Sequence, residues 1–105
     1  MSRRAAKVDA NQADVVEALR AAGCSVTSTA AIGAGFPDLV VSFGGPSGHV
    51  VLMEVKDGSL PPSERALTPA QKKWHRDTKG PAHVVCSAAE ALSVVDWYRK
   101  GRKAA

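Results

Sequence analysis

Two short apolar runs with a glycine-rich break between them constrain this chain more than any other feature. Residues 39–43 (LVVSF) and 50–56 (VVLMEVK) have the length and the β-branched content of buried strands rather than helices. Residues 44–48 (GGPSG) interrupt the pattern with turn-forming residues, over a length that is typical of a hairpin loop. The sequence therefore predicts an antiparallel hairpin at the centre of the fold.

Three charged side chains lie at one end of this predicted hairpin. Glu54 and Lys56 share one face of the second strand because side chains alternate along a strand, and Asp38 opens the first strand. If Asp38 lies across from the end of the second strand, two carboxylates meet and repel, and a divalent cation relieves such repulsion. Oxygen ligands without a nearby set of His or Cys favour Mg²⁺ or Mn²⁺ over Zn²⁺. A turn aspartate and a surface salt bridge between Glu54 and Lys56 are the alternative.

The same residues carry a resemblance to a known family. The Pro-Asp pair at 37–38 and the Glu-Val-Lys triplet at 54–56 resemble the PD-(D/E)XK nuclease signature, and residues 35–39 (GFPDL) with 54–58 (EVKDG) are most similar to its small stand-alone VRR-NUC branch. The resemblance covers residues 9–98. It implies a restriction-endonuclease-like α/β core in the order α-β-β-β-α-β-α, with helices flanking a mixed central sheet. It also implies a metal-dependent endonuclease of the phage-type, Holliday-junction-resolvase-like kind, which cleaves branched DNA such as four-way junctions or flaps.

The resemblance also implies roles for the charged residues. Asp38, Glu54 and the backbone carbonyl of Val55 are the implied ligands of one or two Mg²⁺ or Mn²⁺ ions. Lys56 either orients and helps to deprotonate the attacking water or stabilises charge that develops on the phosphate. The sequence does not choose between these two roles.

Two further site residues are expected from helices. Relatives often carry a glutamine early in the second helix, near the catalytic lysine, and Gln71 matches that position. Relatives also place an acidic residue of the first helix near the metal, although usually a glutamate. Asp14 is the first choice here and Glu17 the second, because residues three apart are neighbours on one helix face. A solvated helix face is the alternative for both.

Helical patterns flank the hairpin. Asp9 or Asn11 can cap a first helix that ends near Ala22, and residues 24–29 predict an edge strand. The predicted buried stripe of the first helix is Ala10, Ala13, Val16 or Ala18, Leu19 and Ala22. Thr68 and Pro69 predict the start of a second helix that ends before Gly80 and Pro81, residues 82–86 predict the last strand, and Ser87 caps a closing helix.

The second helix and the loop before it are the predicted contacts to nucleic acid. The helix bears four cations against Asp77 alone, which suits a helix that lies along a phosphate backbone. These cations are Lys72, Lys73, Arg76 and Lys79. Residues 57–67 form a long proline-bearing loop that is expected to border the substrate groove, with Arg65 reaching a phosphate. On the helix, Trp74 is expected to be a core anchor rather than a base-stacking platform, and His75 to be exposed.

Length and charge suggest one small domain with basic ends. The chain has 105 residues, of which 45% are hydrophobic, so the predicted domain spans 9–98 between basic tails at 1–8 and 99–105. The net charge of the whole chain is +4, and seven positive charges lie in the tails. Residues 8–98 by themselves therefore have a net charge of −3 (4 minus 7). Disordered basic tails can hold phosphate backbones without reading sequence. Because so small a chain forms a shallow site, a homodimer is expected.

Cysteine usage and hydropathy suggest a compartment. Cys24 and Cys86 show no metal-ligand spacing, no apolar run follows Met1, and no run approaches the length of a membrane span. The sequence therefore favours a reducing cytoplasm, bacterial or in a phage-infected host, and no membrane contact. Two rival functions stay open. One is a catalytically idle DNA-binding module of the same fold. The other is a protein that does not bind nucleic acid, in which Asp38, Glu54 and Lys56 form a structural ion network.

Overall fold

A computed structural model describes the backbone of residues 3–101 and the side chains of residues 10–101. Helices and strands follow one another in the predicted order α-β-β-β-α-β-α. They are α1 (Arg3–Ala21), β1 (Ser25–Ser28), β2 (Leu39–Phe43), β3 (His49–Val55), α2 (Pro69–Asp77), β4 (Ala82–Val85) and α3 (Ala88–Arg99). Two short 3₁₀ turns, Gly45–Ser47 and Pro62–Glu64, lie in the loops that follow β2 and β3.

The four strands form one mixed sheet in the order β1-β2-β3-β4. Both β1 with β2 and β2 with β3 pair antiparallel, whereas β3 and β4 pair parallel. The register sets Leu39 opposite Met53 and Phe43 opposite His49. This confirms the predicted hairpin and its connection at residues 44–48. It also confirms that β1 is an edge strand, because β1 pairs with β2 alone.

The hydrophobic core lies between one face of the sheet and the two helices α1 and α3. Alternate residues of β2 and β3 face this core, as strand geometry requires. The α1 side chains that are fully buried here are Val15 and Leu19. Leu19 belongs to the predicted stripe, but the stripe omits Val15 and includes Ala10 and Ala13, which are exposed. The correction follows from size, because burying valine removes more apolar surface from water than burying alanine.

The ends of the chain differ from the predicted tails. Helix α1 begins at Arg3 rather than at Asp9 or Asn11, so the predicted helix start is wrong and the helix includes residues 3–8 of the predicted tail. Arg, Ala and Lys in this stretch all favour helices. Arg99, placed in the C-terminal tail by the sequence, ends α3 instead. Its guanidinium donates to the Ala22 carbonyl at 2.8 Å and lies 5.5 Å from the centre of the Phe43 ring. Residues 1–2 and 102–105 lie outside the described residues.

Helix α2 lies over the polar end of the hairpin and against the loop that precedes β2. A Cβ atom at Gly35 would overlap the Ala70 carbonyl oxygen and lie 2.6 Å from its carbon, so only glycine allows this close approach. The ring of Trp74 packs edge-on against Phe36, with centroids 5.2 Å apart. This placement brings the start of α2 to the end of β3. Within residues 3–101, no helix is long and apolar enough to cross a membrane.

Candidate active site

Asp38 and Glu54 meet at the open end of the hairpin. Continuing the pairing of Leu39 with Met53 by one residue sets Asp38 opposite Glu54. Directly opposed residues of an antiparallel pair share one face, with Cβ atoms about 5 Å apart. The Val55 amide donates a hydrogen bond of 2.8 Å to Asp38 Oδ2. The hairpin therefore brings the two carboxylates together, as the sequence pattern predicts.

Pro37 explains why a side chain accepts this hydrogen bond where the strand ladder would otherwise continue. The same register sets Pro37 opposite Val55, and proline has no N–H to donate. Its carbonyl accepts the Thr29 hydroxyl at 2.7 Å. The Asp38 carboxylate instead accepts the hydrogen bond of the Val55 N–H. The Val55 carbonyl points to the same side of β3 as this N–H, and residue 37 offers it no N–H to accept a hydrogen bond from. This carbonyl is the one that the family resemblance implies as a metal ligand.

Glu54 is buried in an unusual electrostatic setting. The residue is 2% exposed, and its Oε2 accepts a 3.1 Å hydrogen bond from the side-chain amide of Gln71. Its other oxygen, Oε1, is shielded from solvent and has no hydrogen-bond partner among the described residues. Burial and, after it, the neighbouring carboxyl group of Asp38 raise the pKa of Glu54 to about 8, against the opposing positive charge of Lys56. The site therefore lacks positive charge that the two carboxylates need to ionise together.

The amide of Gln71 fixes Lys56 beside Glu54. Lys56 Nζ donates to Gln71 Oε1 at 2.8 Å, and the Thr68 amide donates to the same oxygen at 2.9 Å. The Thr68 hydroxyl in turn accepts a 3.2 Å hydrogen bond from the backbone N–H of Gln71, which completes a capping box at the start of α2. One side chain thus closes the N-terminus of a helix and holds both the lysine and the glutamate of the site.

The first helix contributes Asn11, which the sequence analysis did not assign to the site. Its amide donates to the Lys56 carbonyl at 2.8 Å and so ties α1 to the end of β3. Asn11 lies one turn before buried Val15, and this spacing was the available signal. Asp14 and Glu17 are exposed, and the structure does not include them among the residues that line the cavity described next. Their participation stays a prediction.

A cavity of about 250 Å³ opens beside the two carboxylates. Its lining is strongly acidic, with four carboxylates and one lysine. The lining residues are Asp38, Glu54, Val55, Lys56, Asp57, Leu60, Glu64 and Gln71.

Two of these carboxylates, Asp57 and Glu64, were missed because they belong to the loop 57–67, whose path the sequence pattern does not define. Asp57 is 9% exposed, and its Oδ1 accepts the amide and hydroxyl of Ser59 at 2.9 and 2.6 Å. The loop borders the cavity as expected, but half-buried Arg65 is not among the lining residues.

His75 lies one turn after Gln71 on α2. The sequence predicted an exposed residue, but the side chain is half-buried and its Nε2 is shielded without a hydrogen-bond partner among the described residues. Burial lowers the pKa of His75, and the positive charge of Lys56 lowers it further. The prediction fails because a helix that covers a site turns one side inward, and residues four apart share that side.

The four predicted phosphate contacts are exposed, as a nucleic-acid contact requires, but α2 ends at Asp77 and so carries Lys72, Lys73 and Arg76, whereas Lys79 follows the helix. Asp77 pairs with Lys73 at 3.2 Å and with Arg76 at 2.9 Å. In the described part of the chain, Lys72 and Lys79 form no ion pair. Trp74 is half-buried and lies outside the hydrophobic core, so the prediction of a core anchor is wrong. It packs on the loop before β2 because α2 covers that loop rather than the core face.

The donors present fit a hard divalent cation. Among residues 10–101, no group of three or more His, Cys, Asp or Glu side chains converges as a metal site. Two carboxylates and one backbone carbonyl do converge, and Mg²⁺ typically takes one or two carboxylates and keeps several waters. The shielded Oε1 and the raised pKa of Glu54 both indicate that this position favours a positive partner.

Comparisons with known proteins agree with this geometry. No protein-family model matches the sequence, and no curated protein does. Among solved structures, a chain described as a VRR_NUC domain is similar, with 28% sequence identity and a TM-score of 0.60. The similarity covers 88% of this chain and 97% of that chain. The chain has the mixed α/β fold of that domain, and the similarity supports the VRR-NUC nuclease family that the sequence pattern predicted.

Proposed function

We propose that this protein is a metal-dependent endonuclease that hydrolyses phosphodiester bonds in DNA. The observation that carries the proposal is Glu54, a buried carboxylate whose free oxygen and raised pKa call for a cation, opposite Asp38 and beside Lys56. A purely structural ion network would leave no buried carboxylate oxygen unpartnered, because such an atom costs free energy. An active site tolerates this cost because the atom has a ligand to bind.

The roles of the residues follow from their positions. Asp38, Glu54 and the Val55 carbonyl would hold Mg²⁺ or Mn²⁺. Such an ion, when bound, polarises the scissile phosphate and lowers the pKa of a bound water. Lys56 lines the cavity with its ammonium fixed by Gln71, where it can orient the attacking water or stabilise charge on the phosphate.

Recognition of the DNA is proposed to depend on backbone charge. Lys72 and Lys73 directly follow Gln71, the residue of α2 that holds Lys56, and phosphate contacts from such cations position a protein without reading bases. The acidic cavity would repel phosphates unless the metal neutralises it, so cleavage should depend more steeply on the metal than binding does. Selectivity for branched DNA, such as four-way junctions or flaps, and a homodimer that presents two sites are further parts of this proposal.

Cleavage of labelled DNAs tests the proposal. Four-way junction, flap, single strand and duplex are incubated with Mg²⁺, with Mn²⁺ or with chelator, using the wild type, Lys56→Ala and the control Lys100→Ala. Lys100 is an exposed lysine that pairs with Asp96 at 2.9 Å on α3. Metal-dependent cutting that is lost in Lys56→Ala and kept in Lys100→Ala is the expected result. Binding without cutting under every metal would indicate the idle DNA-binding module. Absence of both binding and cutting would refute the assignment.

A further inference from the structure

A second concavity, of about 370 Å³, lies between α2 and the loop before β2. This volume is within the range of small-molecule sites, about 300–1,000 Å³. Its lining is mainly apolar and comes from Ala34, Ala70, Lys73, Trp74, Asp77 and Thr78. The helix positions are spaced by three or four residues, so they form one stripe of α2, and we call this concavity the α2 groove. The neighbouring stripe carries Gln71 and His75.

The aromatic wall of the α2 groove has a fixed orientation. Phe36 holds the Trp74 ring edge-on, at 73° between the ring planes. The close approach of Gly35 to the Ala70 backbone presses the loop against the helix. The half-buried Trp74 therefore presents a rigid aromatic surface to the groove. Such a surface binds another ring at a small cost in conformational entropy, since little of its freedom is lost on binding.

The rim of the groove suits a nucleotide. Thr78 adds a hydroxyl group to the rim. Lys72, together with Lys73 and Arg76, which share Asp77 and have side chains 72% and 70% exposed, leaves net positive charge for the flanking phosphates. An aromatic platform beside such cations is the combination by which proteins bind single-stranded nucleic acid.

We infer that the α2 groove receives one unpaired nucleobase of the DNA substrate. The inference rests on the proposed function for the identity of the ligand. Trp74 follows Gln71 by three residues, which advances about 4.5 Å along a helix axis. Gln71 holds the ammonium group of Lys56 at the acidic cavity, so the two concavities lie on neighbouring stripes of the same helix.

An unpaired base is the occupant because a paired base is stacked within the duplex. Extracting a paired base costs unstacking and unpairing energy, and the cost is least where the base is already single-stranded. The groove therefore gives selectivity for a flap or a branch point without a hydrogen-bond code. This selectivity lies in the protein's own contact to the branch, separate from the metal site.

Fluorescence of Trp74 and binding to matched DNAs test the inference. In Trp97→Phe, Trp74 is the remaining tryptophan, and Trp97, which is exposed on α3, also serves as the matched control position. The DNAs are a flap, the same flap with an abasic nucleotide next to the branch point, and a fully paired duplex, all with chelator. The intact flap is expected to quench Trp74 and to bind roughly five- to hundredfold more tightly than the abasic flap, as expected for stacking on one aromatic ring.

Three variants separate the groove from general folding effects. Trp74→Leu should remove most of the difference between intact and abasic flaps, and Trp74→Phe should restore part of it. Ala70→Leu fills the groove from the exposed helix surface and should also remove the difference if Trp74→Leu does not fold. Equal binding of the two flaps by the wild type, without quenching of Trp74, would overturn the inference.

The same measurements distinguish this inference from the proposed function. They contain no metal and measure no cleavage, so preference for the intact flap supports base binding even if the protein does not cut DNA. Metal-dependent cleavage combined with equal binding of intact and abasic flaps overturns only base binding. Absence of binding to all three DNAs in chelator overturns base binding, and the proposed function is overturned as well only if binding and cleavage are also absent with Mg²⁺ present.

Discussion

Glu54→Gln is expected to abolish a pH dependence of stability that originates in one buried carboxyl group. Folding raises the pKa of Glu54 from 4.5 to about 8, so the folded state binds a proton that the unfolded state has released. A raised carboxyl pKa gives stability that is complete below the unfolded value and is lost as pH rises through the folded value. The metal-free wild type should therefore lose stability from about pH 5 to pH 8. Glutamine, which has nearly the same shape and no charge, should not.

The expected size follows from the two pKa values. Integrating the difference in bound protons between pH 5.5 and 8 gives a loss of about 3 kcal/mol for the wild type relative to the variant. For a domain of this size, that corresponds to a difference in melting temperature of more than about 10 °C. Such a change is large against a total stability of about 5–15 kcal/mol.

Urea unfolding of both proteins, at several pH values and in chelator, measures this difference directly. Burial also lowers the pKa of His75 and His83, which weakens both proteins toward low pH and so cancels in the comparison. Glu17→Gln, at an exposed position, is the matched control and should follow the wild type. If the free energies of unfolding of the wild type and Glu54→Gln change in parallel between pH 5.5 and 8, the conclusion that folding raises the pKa of Glu54 is refuted.

Adding Mg²⁺ at pH 8 should stabilise the wild type, by about 2.7 kcal/mol at a hundredfold excess over the dissociation constant, and should leave Glu54→Gln nearly unchanged in a thermal unfolding scan. Gly35→Ala should cost about 2–3 kcal/mol in chemical unfolding, because the new methyl group meets the α2 backbone and the φ angle is +83°. Gly33→Ala, with φ +72° and open space around it, should cost only about 1 kcal/mol of backbone strain. Asn11→Ala should lower both stability, by about 1 kcal/mol, and cleavage. Asp14→Ala should lower cleavage alone if that carboxylate takes part in metal binding, and unchanged cleavage would exclude it.

The hairpin and its charged trio could be predicted because their geometry is local. Alternation along β3 and into the residue that follows it decides which face carries Glu54 and Lys56, and the five-residue loop sets the register that brings Asp38 opposite Glu54. The predicted element order and the cap at Thr68 were correct for the same reason, since each depends on a few consecutive residues.

The remaining site residues depend on how elements pack, which periodicity does not reveal. Asn11 reaches β3 only because Val15 and Leu19 turn that side of α1 toward the sheet. Glu64 lines the cavity because the loop after β3 folds back across it, and His75 is shielded because α2 covers the site. Each position follows from tertiary contacts between segments that are distant in sequence.

Helix α2 connects the parts of this molecule that the proposals assign to chemistry and to substrate recognition. It has only nine residues, and none of its side chains is fully buried. Helices shorter than about 12–15 residues are marginal by themselves, so the position of α2 depends on its ends and its neighbours. At its start, the capping box shares Gln71 with Lys56 and Glu54, and at its middle Trp74 packs on the loop that leads to Asp38. A base bound in the α2 groove would therefore press on the element that orients the lysine, so base binding and lysine placement share one rigid unit.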